Sequence, residues 1–303
     1  MSGWKTGSLG EEVFEQLAEG MAGSELQSML LEVMRRRAQA RTPAEVLAQY
    51  RRDPFTAPSE VDQRVALAID GHLLAAAAGF DALELSPVAP LGVCSTMAPT
   101  DQNRVLSALR GTEVVSDPTN VLALECARRM RAAPATPIHL ATSQRVVRAQ
   151  PVSNVPGFTQ HFRLFVLASG GIEAVDHGFT VDTLVRHVLT SSAAFDRLEQ
   201  HGFGFGARRV EVLATRERAA LGDRIAAALA AAGIAATRRL LAHAYYSGGL
   251  RTMFWVTAPD GAEVPLADAG SFDWLARLLS NRRAVYVASG LGSQLVATRF
   301  RRG

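Results

Sequence analysis

Apolar residues fall at Leu26, Met29, Leu30, Val33 and Met34, three and four apart, which makes one face of an amphipathic helix. Ser8-Leu9-Gly10-Glu11 and Thr42-Pro43-Ala44-Glu45 flank it with capping-box spacing, and the second adds proline at the first helical position. The stretch over 1–58 therefore reads as a helical extension, and its apolar face is expected to pack on the rest of the chain, with recruitment of a partner as the alternative. Pro54 and Pro58, set among turn formers, mark a boundary. A helix is expected over 61–78, stopped by Gly79, and alternation over 80–86 predicts a strand closed by Pro87. Strands follow over 138–147, 162–168 and 210–213, then an alanine-rich helix over 216–232 ending at Gly233. Pro259-Asp260-Gly261, between strands over 253–257 and 263–266, is a hairpin signal. A last strand over 284–288 leads through Gly290 and Gly292 toward a short helix. Hairpin strands with separate long helices predict an α+β core over 59–303 on an antiparallel sheet, rather than regular βαβ repetition.

Composition narrows this little. At 303 residues, with 48% hydrophobic and 20% charged positions, the chain can bury a sizeable core. No apolar run approaches the roughly 20 residues of a membrane span. The segment Met1-Ser2-Gly3-Trp4-Lys5 lacks a signal peptide's apolar stretch, so a cytoplasmic location and no membrane partner are expected. A net charge of +3 is small for this length and argues against broad nucleic-acid binding. Cys94 and Cys126 form no CxxC pair and read as buried thiols, and no two histidines are spaced for one helix face, so no metal site is expected. Gly202-Phe203-Gly204-Phe205-Gly206 lacks the lysine and hydroxyl of a phosphate loop, and Gly290-Leu291-Gly292 leaves too little chain for a dinucleotide-binding unit.

The order of several segments carries more. The helix ending at Gly79 and the strand to Pro87 resemble motif 1 of class II aminoacyl-tRNA synthetases. Val114-Val115-Ser116-Asp117-Pro118-Thr119 resembles the histidyl-tRNA synthetase segment in which an acid and a threonine face the amino acid. Asp117 and Thr119 are the matching positions; taken alone, the pair also fits a helix cap. Ser143-Gln144-Arg145-Val146-Val147-Arg148-Ala149-Gln150-Pro151, a loop with Pro156-Gly157, and a returning strand with Arg163 resemble motif 2. There Arg148 matches the arginine that grips the α-phosphate and the amino-acid carboxylate, and Gln150 stands where glutamate is usual. Ala242-His243-Ala244-Tyr245-Tyr246-Ser247-Gly248 resembles the histidine-specific signature, keeping Tyr245, Tyr246 and Gly248. Ala269-Gly270-Ser271-Phe272-Asp273 is similar to the glycine-rich stretch that follows, and 287–295, with Gly290, resembles motif 3.

The departures are as informative. The signature's arginine and aspartate are Leu241 and Ala244, the second motif 2 arginine falls near Phe158, the histidine-reading glutamine is Leu164, and the motif 3 arginine is Ser293 or Gln294. Arg299, one turn later, is a candidate substitute. Losing one preorganised cation costs on the order of 100-fold in rate, so losing several implies a poor adenylating enzyme. The family also holds a non-catalytic branch, the regulatory subunit of ATP phosphoribosyltransferase, without an anticodon-binding domain, and this chain too ends near motif 3. The resemblance thus implies a non-synthetase paralogue that binds a small amino-acid-like ligand, assembles as a homodimer and works through a protein partner, with tRNA not among its partners. Its expected ligand contacts are Asp117, Thr119, Arg148, Gln150, Arg163, Tyr245, Tyr246, Gly248, Gly270 and Gly290, with no catalytic residue and no certain cofactor. Two alternatives stand beside it: an adenylating enzyme using ATP with Mg and a non-tRNA acceptor, and a protein-interaction scaffold with a vestigial pocket.

Overall fold

The computed structural model describes residues 10–151 and 157–302; Ser8 of the first capping box and Pro156 of the motif 2 loop lie outside them. The chain opens with α1 (Gly10–Glu15), a π-helical turn at Gln16–Gly20, α2 (Gly23–Gln39) and α3 (Pro43–Arg52). The second capping box forms as its spacing dictates. Thr42 Oγ1 accepts from the Glu45 amide at 3.3 Å, and the Glu45 carboxylate accepts from the Thr42 amide at 2.7 Å. The expected packing of this apolar face on the core is not observed. None of the three helices buries a residue, and Val33, Met34, Val46, Leu47 and Tyr50 are exposed.

The core begins with α4 (Gln63–Ala76), whose cap Asp62 accepts from the Arg64 amide at 2.7 Å. After it come β1 (Asp81–Ala82), β2 (Val88–Pro90), α5 (Val93–Met97), β3 (Ser107–Ala108), β4 (Thr112–Val114) and α6 (Pro118–Ala132). A long hairpin, β5 (Ile138–Val147) and β6 (His161–Ile172), is followed by α7 (Gly178–Glu199), β7 (Arg208–Ala214), α8 (Ala219–Ala231) and β8 (Ala236–Leu240). The chain closes with β9 (Leu250–Thr257), β10 (Glu263–Phe272), α9 (Trp274–Leu279), β11 (Ala284–Leu291) and α10 (Ser293–Arg299). Most expected elements are present. α4, however, ends at Ala76, closed by the Ala77 amide on Leu73 and Leu74 carbonyls, and Gly79 is not left-handed. The strand expected over 80–86 is two residues long. Leu83 adds one bond to Ala141 at 2.8 Å, and the alternating Leu83 and Leu85 then pack on a side-chain cluster without a ladder partner.

Eight strands form one sheet in the order β1-β5-β6-β11-β10-β9-β7-β8; β2, β4 and β3 make a small second sheet. The large sheet is antiparallel except for its two outer pairs, β1 with β5 and β7 with β8. This is the expected α+β arrangement of a large sheet flanked by helices. One face is covered by α4, α7, α8 and α10, with Leu73, Leu184, Phe195, Ile225 and Phe300 fully buried. On the other face α5, α6 and α9 cover part of the sheet, packing Leu122, Cys126, Trp274 and Tyr286. The uncovered remainder of that face is where the chemistry lies. Strand alternation decides which residues reach it: on β6, Phe165 and Leu167 join the first cluster, and Leu164 and Val166 lean toward the second. Among the described residues no helix is long and apolar enough to cross a membrane.

Candidate functional site

A cleft of about 750 Å³ opens over β6, β11, β10 and β9, walled by the start of α6, the end of β5 and the turn before β9. Asp117 caps α6: its Oδ1 accepts from the Thr119 amide at 3.0 Å and from the Thr119 hydroxyl at 2.7 Å. The helix-cap reading therefore holds, and the cap also borders the cleft. The other oxygen, Oδ2, accepts from the Tyr245 hydroxyl at 3.1 Å. Burial and the adjacent Asp117 charge push the Tyr245 phenol well above its ordinary value, which keeps it a donor. Thr119 is fixed from behind, its carbonyl accepting from the Tyr286 hydroxyl at 2.6 Å.

Arg148, just past the end of β5, lies with its guanidinium carbon 5.1 Å from the Phe162 ring centroid. Its Nε donates to the Ser116 carbonyl at 3.0 Å, and one terminal nitrogen stands 3.7 Å from Asp117 Oδ2. A carboxylate and a guanidinium thus face one cleft without a direct hydrogen bond between them. Gln150 lines the same wall. Cys94, beneath it, is a neutral thiol: burial raises its pKa, and it is hydrogen-bonded with Ser116 at 2.9 Å and Asn120 at 3.0 Å.

At the far end, the Tyr246 hydroxyl donates to Asp268 Oδ2, which also receives Arg251 at 3.0 Å. The Arg251 guanidinium lies 4.7 Å from the Tyr246 ring centroid. Burial, then the Asp268 charge, raises the Tyr246 phenol as well. Gly270 and Gly248 do not line the cleft; they make room for this tyrosine turn. A Cβ at Gly270 would stand 2.2 Å from the Tyr246 ring, and one at Gly248 would meet the Ser271 hydroxyl at 2.3 Å. Gly290 lines the floor.

Arg163 is the one expected contact whose charge is directed elsewhere. It sits on β6 at the cleft's edge, but its Nε donates to Asp70 of α4 at 2.7 Å, on the covered face. Alternation explains this: the cleft-facing residues of β6 are Phe162, Leu164 and Val166. Arg299 is also committed elsewhere, paired with Asp260 in the β9–β10 turn at 2.8 Å. It does not replace the missing motif 3 arginine. Leu241 is buried in the apolar core, and Gln294 donates to the Thr159 hydroxyl at 3.1 Å. The positions that resemblance assigns to the missing arginines thus hold no cation; the arginines that line the cleft are Arg104, Arg148, Arg163 and Arg251.

Asp268 and Arg251 were not anticipated. The signal for Arg251 was in the pattern: Leu250, Thr252, Phe254 and Val256 are buried on β9, so the odd-numbered residues between them face the other side. Asp268 stands immediately before the glycine-rich stretch that starts at Ala269, and only the register of β10 with β9 and β11 shows where it points.

The fold is that of the class II aminoacyl-tRNA synthetase core. The chain superposes on an ATP phosphoribosyltransferase regulatory subunit/histidyl-tRNA synthetase from Bacillus halodurans with a TM-score of 0.63, at 14% identity, covering 81% of this chain and 82% of that one. It is similar to a histidine–tRNA ligase subunit from Alicyclobacillus acidocaldarius at a TM-score of 0.58 and 17% identity, covering 81% of this chain and 96% of that one. Against apo S. aureus histidyl-tRNA synthetase the TM-score is 0.55 at 14% identity; 77% of this chain is covered, but only 64% of the synthetase. No protein-family model and no curated protein matches the sequence.

Proposed function

We propose that this chain is a non-synthetase relative of histidyl-tRNA synthetase that binds a small amino-acid-like ligand and acts through a protein partner. The observation that carries this is the loose ion pair at one end of the cleft, Arg148 and Asp117 at 3.7 Å with no hydrogen bond between them, and the Thr119 and Tyr245 hydroxyls beside it. A zwitterion completes such a pair: its ammonium takes the Asp117 carboxylate and its carboxylate takes the Arg148 fork. The absence of a cation at the assigned phosphate positions weighs against adenylation, and the open cleft weighs against a scaffold with a filled pocket. The regulatory-subunit description of the Bacillus halodurans neighbour supports a protein partner. A homodimer, a cytoplasmic setting and a separate helical extension over 1–58 belong to the same proposal.

The test is a thermal-shift and calorimetric screen of the standard amino acids, with and without ATP and magnesium. A native-state ligand raises apparent stability. An amino acid should stabilise the chain alone, ATP should add nothing, and Arg148→Met should abolish the shift. A flat screen would sink the reading; pyrophosphate exchange with any acid would replace it with the adenylating enzyme.

A further inference from the structure

Tyr245 and Tyr246 are neighbours in sequence, with ring centroids 5.3 Å apart, yet they serve different carboxylates: Asp117 and Asp268. The first carboxylate belongs to the zwitterion site. The second has no role there. Its Oδ2 is occupied by the Tyr246 hydroxyl and by Arg251 at 3.0 Å. Its Oδ1 makes no hydrogen bond with any described residue. Across the β10–β11 ladder, Asp268 pairs in register with Gly290, and a Cβ placed on Gly290 would meet only Asp268 Oδ1, at 3.9 Å. Both residues line the cleft. A free carboxylate oxygen therefore looks across a space that exists because the facing strand residue has no side chain.

We propose that Asp268 and Gly290 form a second subsite that receives the side-chain end of the amino-acid ligand and selects a neutral hydrogen-bond donor, a carboxamide or a hydroxyl. The inference rests on the zwitterion site proposed above and names what that site selects. Three exclusions lead to it. An anionic end would set a second carboxylate against Asp268, which accepts only. A cationic end would meet Arg251, whose charge already balances that of Asp268. An apolar end would cover Oδ1 with nothing to bond it, at the desolvation cost of an unpaired acceptor. A neutral donor satisfies Oδ1 and leaves the Asp268–Arg251 pair intact. Asp268 is a specificity residue in this account and takes no part in holding the ammonium or the α-carboxylate.

Isothermal calorimetry on the full chain, with L-glutamine, L-asparagine, L-serine and L-threonine against L-glutamate, L-aspartate, L-lysine and L-leucine, tests this. At least one of the first four should bind about tenfold or more tighter than any of the last four, the difference one hydrogen bond carries in a partly enclosed site. Gly290→Ala fills the space over Oδ1 with a methyl group for which there is room, so melting temperature should hold while the preference for the neutral donor falls. Asp268→Asn removes the carboxylate and leaves Arg251 without its counter-charge, so the preference for each amide over its acid should be lost or reversed. Wild-type binding that is indifferent to side-chain class, or a preference that survives both substitutions, overturns this subsite and leaves the zwitterion site standing. No binding by any of these eight overturns this subsite, and no binding by any standard amino acid removes both.

Discussion

The two faces of the large sheet carry the same strands but different chemistry. On the covered face, α4, α7, α8 and α10 bury a continuous apolar cluster from Leu73 through Phe195 to Phe300, with Arg163 paired to Asp70 at its edge. On the open face, the helices stop short and two carboxylate–arginine pairs stand in the cleft, Asp117 with Arg148 and Asp268 with Arg251. Stability should reside in the first face and selectivity in the second. Strand alternation makes the separation possible, because successive residues of one strand report to different faces.

The sharpest way to break this contrast is Phe195→Ala on the covered face. Phe195 is fully buried and in ring contact with Phe205 and Phe254 at 5.2 and 5.3 Å, so denaturant unfolding should show a loss of about 3–5 kcal/mol. A loss under about 1 kcal/mol would mean that this face does not hold the fold. Next comes Asp70→Asn. Asp70 receives Arg163 at 2.7 Å and Ser143 at 2.5 Å, and its loss should cost about 2 kcal/mol, less than a fully buried pair because Arg163 is a quarter exposed.

A third test uses pH. His187, fully buried on the covered face and bonded to Ser169 at 2.8 Å, is pushed down to about 3 by burial and then by His139 and Arg186. The folded state keeps it neutral while the unfolded chain protonates it below about 6.5, so its contribution is present above that pH and lost as pH falls toward 3. At pH 5 this amounts to about 1–2 kcal/mol. Unfolding titrations of the wild type and His187→Gln should diverge in slope below pH 6.5. Parallel slopes would remove His187 as an acid-sensitive group.

On the open face, Tyr245→Phe removes one hydrogen bond to Asp117 and should cost about 1 kcal/mol or less of stability, while weakening ligand binding by about tenfold. A large stability loss with unchanged binding would reverse the assignment of the two faces. The smallest effect belongs outside both. Leu47→Ser on α3 replaces an exposed residue that no core element covers, so the midpoint should move by about 0.5 kcal/mol or less.

Much of the fold was legible because its signals are local. Thr42 and Glu45 cap α3, the turn at Pro259-Asp260-Gly261 joins β9 to β10 with Gly261 left-handed, and β5 spans the residues its pattern indicated. α7 was equally readable in principle: Val181, Leu184, Val188, Phe195 and Leu198 recur at helical spacing, but its threonines, serines and β-branched residues weaken the propensity signal. The two-residue β1 was not readable, because alternation at Leu83 and Leu85 describes side-chain packing and says nothing of a ladder partner.

The site divides along the same line. Sequence alone determined which residue types are available: an acid and a threonine at the start of α6, an arginine after β5, adjacent tyrosines, and apolar or neutral residues where phosphate-binding arginines stand in the family it resembles. Only the tertiary structure decided where they point. It turned Arg163 toward Asp70, tied Arg299 to Asp260, set Gly248 and Gly270 behind the tyrosines, and brought Asp268 and Arg251 together across neighbouring strands. Direction and pairing depend on strand register and on which face a helix covers, and both are set by contacts between residues far apart in the chain.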